Sequence, residues 1–299
     1  MRCLIILFIL IGLNFANGQV AKDTSFTVIS EYKKQLKKYP HIKIVQAETN
    51  PSVLEQKDIV YTANENRPLH LDSYLFKSNT KLPAVVMLHG GGWKSGDKSM
   101  LEPLAEKIAL NGYQCFAIEY RLSDEAQYPA GIDDILKAIT FIKNNAERFG
   151  VDANKIAILG QSSGAQMASL IGTKYNTEVD AIINIDGVLA FHHPESTEGK
   201  YASLWLGGTY EEIPEIWKDA AALFHTNEKT PPILFINSQY DRFHAGRNDM
   251  IEILKKHKIY SRIEIIPDSP HTFWLFEPWF EKTVQYTLDF LNEKLKFKI

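Results

Sequence analysis

Short apolar segments alternate with longer amphipathic segments through most of this 299-residue chain. Apolar runs at 83–88, 155–159 and 181–185 have the length and composition of strands that are buried on both faces of a sheet. The segments between such runs, for example 163–174, are longer and have helical spacing. This alternation predicts an α/β fold with a mostly parallel central sheet of about eight strands, flanked by helices.

Two segments depart from the strand–helix alternation. Residues 57–62 and 69–76 alternate in hydrophobicity around a polar turn, which predicts an antiparallel hairpin at the front of the sheet. Residues 191–230, rich in His, Trp and Glu, interrupt the alternation between two strands, and an insertion of this kind usually shapes a site. We therefore expect a single domain over 19–299 with a small cap at about 191–230.

The first 18 residues have the pattern of a signal peptide. Arg2 precedes an apolar run at 4–13, and Ala16-Asn17-Gly18 offers small residues for cleavage before Gln19. The apolar run is about half of the roughly 20 residues that span a bilayer, so we expect export to the periplasm or the medium without stable membrane insertion. Cleavage would leave Cys115 as the one cysteine, which excludes an internal disulfide.

The charge balance bears on the partner class. A net charge of −3 and an isoelectric point near 6.3 argue against a nucleic-acid partner, because such proteins usually carry a basic face. A local basic pocket for an anionic substrate remains compatible with this sum.

Gly160-Gln-Ser-Ser-Gly164 is a Gly-x-Ser-x-Gly motif that follows a predicted strand and opens a predicted helix. The glycines permit a tight turn that exposes the Ser162 hydroxyl, which is the setting of a nucleophilic serine. The helix N-terminus favours developing negative charge, and the amide of Ser163 can donate to an oxyanion. We interpret Ser162 as the nucleophile; the alternative is a polar helix cap with an idle Ser162.

A second glycine motif, His89-Gly-Gly-Gly-Trp93, follows the strand at 83–88. Successive glycines let backbone amides turn inward, so Gly91 and Gly92 are predicted as further oxyanion donors. His89 is expected to brace this loop.

A nucleophilic serine needs a base, and the base needs an acid that orients it. In this architecture acid and base follow later strands, with the acid before the histidine. Asp241 and His271 each come shortly after a predicted strand, in that order. Asp268 competes with Asp241 by proximity but lies in the loop of His271 itself. We therefore predict Ser162, Asp241 and His271 as a catalytic triad.

These segments, together with Glu119-Tyr-Arg-Leu122, resemble the esterase and lipase group of α/β-hydrolases, and most closely its acetylesterase and feruloyl-esterase-like branch. The resemblance covers about 58–294. It implies the α/β-hydrolase fold and a Ser-His-Asp acyl-enzyme mechanism. The segment 271–280 (HTFWLFEPWF) is similar to exported bacterial esterases that act on pectin and related plant polysaccharides.

Aromatic and basic residues near the predicted loops suggest the substrate class. The indoles of Trp93, Trp274 and Trp279 could stack on sugar rings, although indoles also fill cores. Arg242 could bind a uronate carboxylate, although a structural ion pair explains it equally well. We expect an esterified carbohydrate with a methyl or acetyl ester on pectin, then xylan; methyl, acetyl and feruloyl esters stay open.

No metal or cofactor is implied, since the histidines have no metal-ligand spacing. Two other functions remain as alternatives: a peptidase or amidase on the same fold, and a catalytically silent binding protein. The first would usually bring an additional N-terminal domain, for which the first forty or so residues after position 18 are too few, and the second predicts a broken triad.

Overall fold

The computed structural model describes residues 23–63, 67–197 and 199–296, and the predicted signal peptide lies outside them. The described part contains strands and α-helices in the predicted alternation. The strands are β1 (Lys43–Ile44), β2 (Val53–Ala63), β3 (Pro68–Phe76), β4 (Leu82–Leu88), β5 (Gln114–Ile118), β6 (Val151–Gln161), β7 (Ala181–Ile185), β8 (Ile233–Asn237), β9 (Ser261–Ile265) and β10 (Phe276–Glu277). The helices are α1 (Val28–Gln35), α2 (Glu102–Leu110), α3 (Ala130–Asn144), α4 (Ala146–Phe149), α5 (Ser163–Lys174), α6 (Gly199–Leu206), α7 (Pro214–Asp219), α8 (Arg247–Lys256) and α9 (Phe280–Leu291).

Eight strands form one sheet in the order β2-β3-β5-β4-β6-β7-β8-β9. β2 pairs antiparallel with β3, and β3 pairs antiparallel with β5, whereas all pairs from β5 to β9 are parallel. The mostly parallel sheet and the antiparallel hairpin at its front confirm the predicted fold class. Because parallel strands end at the same edge, the loops after β6, β7, β8 and β9 lie side by side.

The sheet is buried on both faces. β5, β7 and β8 are buried at every position, since helices cover the sheet from both sides. The two hydrophobic clusters take alternate residues of the same strands: Val86 and Ile158 belong to one, Val85 and Leu159 to the other. Among the described residues, Cys115 is a free thiol, buried on β5.

The N-terminal segment, residues 23–47, packs beside the C-terminal part of the fold. Its helix α1 begins after Thr27, which forms a capping box with Ser30. β1 pairs antiparallel with β10 in a separate two-stranded sheet.

The cap region, 191–230, contains α6, α7 and a 3₁₀ turn at Ala222–His225. It is attached by buried aromatic contacts, since Trp205 of α6 stacks on Trp93 with ring centroids 5.3 Å apart. In the described ranges, no helix is sufficiently long and apolar to cross a membrane.

Candidate active site

Ser162 lies in a strained turn between β6 and α5. Its φ of 54° and ψ of −120° place a non-glycine residue in a sparsely populated region, which tertiary contacts must maintain. The neighbouring glycines explain how the turn fits. A Cβ on Gly160 would lie 2.1 Å from the Gly164 carbonyl oxygen, and one on Gly164 would lie 2.4 Å from that of Leu88. Only glycine allows this close approach of strand, loop and helix.

The imidazole of His271 connects Ser162 to an acid. Its Nε2 lies 2.8 Å from the Ser162 Oγ, and its Nδ1 lies 2.7 Å from the Asp186 Oδ2. His271 lies in the loop after β9, and Asp186 directly follows β7. A serine, a base in hydrogen-bond contact with it and an acid that orients the base is the arrangement that activates a hydroxyl nucleophile.

The prediction of Asp241 as the acid is wrong, because the carboxylate that contacts the His271 imidazole is that of Asp186. Asp241 begins a 3₁₀ turn four residues beyond β8, and its side chain is 83% exposed. Its nearest basic partner is His244, whose Nε2 is 3.6 Å from the Asp241 Oδ1. The chain-order rule admits both aspartates, because both come after Ser162 and before His271. The missed signal is the position of Asp186, the first residue after a fully buried strand.

The Asp186 carboxylate is fully buried and hydrogen-bonded on both oxygens. The Ser238 hydroxyl donates to Oδ2 at 2.6 Å, and the Ser238 amide donates to Oδ1 at 3.0 Å. The side-chain amide of Asn237 lies 3.4 Å from Oδ1. These donors, from the end of β8, compensate for the loss of hydration around a buried carboxylate.

Aromatic rings hold the imidazole on two sides. Phe243 stacks on it with centroids 3.4 Å apart, and Trp274 meets it edge-on at 5.2 Å. The guanidinium of Arg242 lies 4.2 Å from the Phe243 ring centroid, and its Nη1 lies 3.5 Å from the Thr197 hydroxyl of the cap region. Arg242 is exposed, and the Phe243 ring lies between its guanidinium and the imidazole of His271.

The predicted oxyanion loop lies against Ser162. A Cβ on Gly90 would lie 2.9 Å from the Ser162 Cβ, so this loop and the nucleophile are in contact. Gly91 and Gly92 have φ values of 133° and 62°, which glycine adopts without penalty. The carbonyl of Gly91 accepts from the amide of Ser95, and the Tyr120 hydroxyl donates to the carbonyl of His89 at 2.7 Å. These bonds hold the loop in place.

The third predicted donor, Ser163, is the first residue of α5 and is buried. Amides in the first turn of a helix have no intrahelical partner, so that of Ser163 can donate to a substrate oxygen. The exposed ring of Tyr201 on α6 lies above the loop, 3.8 Å from a Cβ built on Gly92. Sequence reasoning did not identify Tyr201.

All three predicted sugar platforms, Trp93, Trp274 and Trp279, are instead buried core residues. Trp93 is 3% exposed, and its indole N–H donates to Gln166 at 3.0 Å. Trp279 is 8% exposed and packs edge-on against Tyr39 of the N-terminal segment. Trp205 of α6 stacks on the Trp93 indole, and the low exposure of both indoles leaves little surface for a sugar ring. Trp274 is also buried, and it separates His271 from a cavity of about 420 Å³ beneath α1.

One group of carboxylates could hold a cation. Glu55, Glu102 and Glu106 bring their oxygens within 4.8 Å of one another, away from Ser162. The ammonium of Lys57 already pairs with Glu55, and with Glu102 at 3.0 Å. Burial raises the pKa of Glu106. We interpret the group as a salt-bridge cluster centred on Lys57.

A mostly parallel sheet whose neighbouring strands carry a strained serine, an acid and a histidine at one edge defines the α/β-hydrolases. The chain has that fold. It belongs to the BD-FAE family, whose model matches residues 71–245, more than half of the chain. Ser162 and Asp186 lie within the matched range, and His271 follows it.

Comparison with known proteins agrees with this assignment. The chain is 24% identical to Esterase LipC of Mycobacterium tuberculosis over 62% of this chain and 49% of that protein. It is 27% identical to versiconal hemiacetal acetate esterase of Dothistroma septosporum over 65% of this chain and 67% of that protein. The chain thus spans about half of LipC, and 28% of carboxylesterase NlhH of M. tuberculosis.

Solved structures show the same fold. A truncated carbohydrate esterase from gut microbiota superposes with a TM-score of 0.70 and 19% identity, covering 84% of this chain and all of that one. An esterase of the planctomycete Thermogutta terrifontis superposes with a TM-score of 0.66 and 21% identity, covering 84% and 95%.

Proposed function

We propose that this protein is a serine carboxylesterase. The observation that carries the proposal is the continuous hydrogen-bonded path from the Ser162 hydroxyl through His271 to the buried Asp186. It begins at a serine in a strained turn, where the hydroxyl stands at the carboxyl edge of the sheet.

The geometry supports an acyl-enzyme mechanism. His271 Nε2 takes the Ser162 proton as Oγ attacks the ester carbonyl, and the amides of Gly91, Gly92 and Ser163 stabilise the oxyanion. Asp186 holds the Nδ1–H tautomer and stabilises the imidazolium. The imidazolium protonates the departing alcohol, and water then attacks the acyl-enzyme with His271 as base again, releasing the acid.

The proposed substrate is a methyl- or acetyl-esterified plant cell-wall polysaccharide such as pectin. The carbohydrate esterase among the structural neighbours supports this class, as does the exposed Tyr201 ring above the oxyanion loop. Arg242 supports an acidic sugar: it is exposed, and among the described residues its hydrogen-bond partner is the neutral Thr197. Lys38 adds a second exposed cation beside Tyr240, whose hydroxyl lies 2.8 Å from the Lys38 Nζ. Export through residues 1–18 to the periplasm or the medium belongs to the same proposal.

The first experiment measures 4-nitrophenyl acetate hydrolysis and fluorophosphonate labelling by the full chain, beside Ser162→Ala. We expect activity and labelling that vanish in the variant. Methanol or acetate release from pectin and xylan then identifies the ester. Absence of both labelling and hydrolysis in the wild type would overturn the esterase proposal and favour a silent binding protein.

The acidic-sugar part has its own test. Arg242→Gln should raise KM for pectin about ten-fold, because a charge-assisted hydrogen bond is lost. The same variant should keep its KM for 4-nitrophenyl acetate, which has no carboxylate. Lys38→Gln should act in the same direction, with Lys37→Gln as matched control at the exposed neighbouring position. Equal KM values for pectin in Arg242→Gln and wild type would contradict the proposal that Arg242 binds a uronate carboxylate.

A further inference from the structure

The N-terminal segment, residues 23–47, binds the stretch of chain that carries His271. The ladder between β1 and β10 pairs Ile44 with Phe276, and the Val45 amide donates to the Leu275 carbonyl at 3.1 Å. The Tyr32 ring lies 6.2 Å from that of Phe276. The segment therefore fixes the chain a few residues beyond His271.

A second contact lies directly beside His271. The Thr272 hydroxyl donates to Glu31 Oε2 at 3.3 Å, and both residues are buried, at 2% and 6% exposure. Glu31 is oriented within α1, since Lys34 and Gln35 donate to its two carboxylate oxygens at 3.0 and 3.2 Å. The carboxylate is thus a fixed acceptor for the residue that follows His271.

We propose that Glu31 is a positioning residue for His271, acting through Thr272, and that the N-terminal segment is part of the catalytic apparatus. The proposal rests on the esterase function proposed above. Neither Glu31 nor the rest of this segment lies within the family-matched range, 71–245.

The mechanism asks for accurate placement of the imidazole. His271 must hold Nδ1 on Asp186 and Nε2 on Ser162 at once, at 2.7 and 2.8 Å. Displacement of a reacting group by about 1 Å can cost about 100-fold in rate. Without the Glu31 acceptor, the buried Thr272 hydroxyl must find another partner, and the backbone beside His271 moves with it.

The test compares Glu31→Ala, Glu31→Gln and Glu48→Ala with wild type on 4-nitrophenyl acetate. Glu31→Ala should lower kcat about ten-fold and leave KM within two-fold, because the imidazole is displaced while the substrate pocket is kept. Glu31→Gln keeps an amide oxygen for Thr272 and should restore most of kcat. Glu48 lies just beyond the segment with its side chain 75% exposed, so Glu48→Ala removes the same charge and should match wild type.

Thr272→Val distinguishes loss of the Glu31–Thr272 hydrogen bond from a folding defect in Glu31→Ala, because it removes the donor and keeps the side-chain shape. It should lower kcat as Glu31→Ala does, and the double variant should show no further loss. Full kcat in folded Glu31→Ala, or full kcat in Thr272→Val, would overturn the proposal.

A proton NMR signal separates this proposal from the esterase function. The signal of the Nδ1–H proton between His271 and Asp186 is assigned by its disappearance in Asp186→Asn. The signal can be observed without catalytic turnover. We expect it to shift or broaden in Glu31→Ala and to be kept in Glu31→Gln. An unchanged signal in Glu31→Ala would contradict the positioning role even if the wild type proved inactive.

Discussion

The His271 imidazole is bonded through Nδ1 to Asp186, whose carboxylate follows the strand next to the one that carries Ser162. β6, β7, β8 and β9 are consecutive in the sheet. They deliver in turn the serine, the acid, the Ser238 donor to that acid, and the histidine. Each neighbouring strand therefore supplies one part of the hydrogen-bonded path.

This arrangement predicts opposite outcomes at two aspartates. Asp186→Asn should lower kcat for 4-nitrophenyl acetate by about 1,000- to 10,000-fold, because an amide donor at this position stabilises the wrong imidazole tautomer. Asp241→Asn should stay within about two-fold of wild type, since its carboxylate is exposed and does not contact His271. Loss of activity in Asp241→Asn with activity kept in Asp186→Asn would assign the acid to Asp241.

Strands, helices and the turn at Ser162 could be predicted from the sequence because each depends on a local pattern of residues. The buried strand 181–185 and the helix 163–174 were predicted with their observed bounds. Gly160 and Gly164 marked the turn around Ser162 in the sequence. The structure explains why glycine is needed there, since a Cβ at either position would lie 2.1 to 2.4 Å from a backbone carbonyl oxygen.

The acid could not be chosen from chain order alone. The position of Asp186 directly after strand 181–185 makes it a candidate, but the choice between Asp186 and Asp241 depends on which strand lies nearest the serine, which is a property of sheet order. The burial of Trp93 and Trp279 likewise depends on α6 and the N-terminal segment, which pack against them from distant parts of the sequence. The Glu31–Thr272 contact joins residues 241 positions apart and has no local signature.

Ser238→Ala tests how the acid is held. The substitution removes the 2.6 Å bond to Asp186 Oδ2 and leaves the backbone amide donor to Oδ1. We expect kcat to fall about ten-fold, because a hydrogen bond to a charged group contributes about 1.5–3 kcal/mol. KM should change little. Wild-type kcat in Ser238→Ala would show that the amide and Asn237 suffice to hold the carboxylate.

Gly187, the residue after Asp186, has no room for a side chain. A Cβ there would lie 2.5 Å from the Ala165 Cβ and 2.6 Å from the Ser162 carbonyl oxygen. Gly187→Ala should lower the free energy of unfolding by about 2 kcal/mol and also reduce kcat, since the clash moves both Asp186 and the serine turn. Gly199→Ala is the matched control, because nothing lies within 4 Å of its Cβ. Equal unfolding midpoints in urea for the two variants would contradict this packing.

His244 should make stability depend on pH. Burial, and next the charge of Arg247, lower the pKa of this imidazole in the folded state. Below the ordinary histidine pKa of about 6.5, the unfolded chain binds a proton that the folded protein does not bind, so unfolding is favoured as the pH falls. The loss of unfolding free energy continues down to the folded-state pKa, and each pH unit between the two pKa values costs about 1.4 kcal/mol.

The test is urea unfolding at pH 8 and pH 5.5. The free energy of unfolding should fall less between these two pH values in His244→Gln than in wild type. His257→Gln, at an exposed position, controls for the loss of one imidazole. An identical loss in His244→Gln and wild type would mean that His244 protonates equally in the folded and unfolded states.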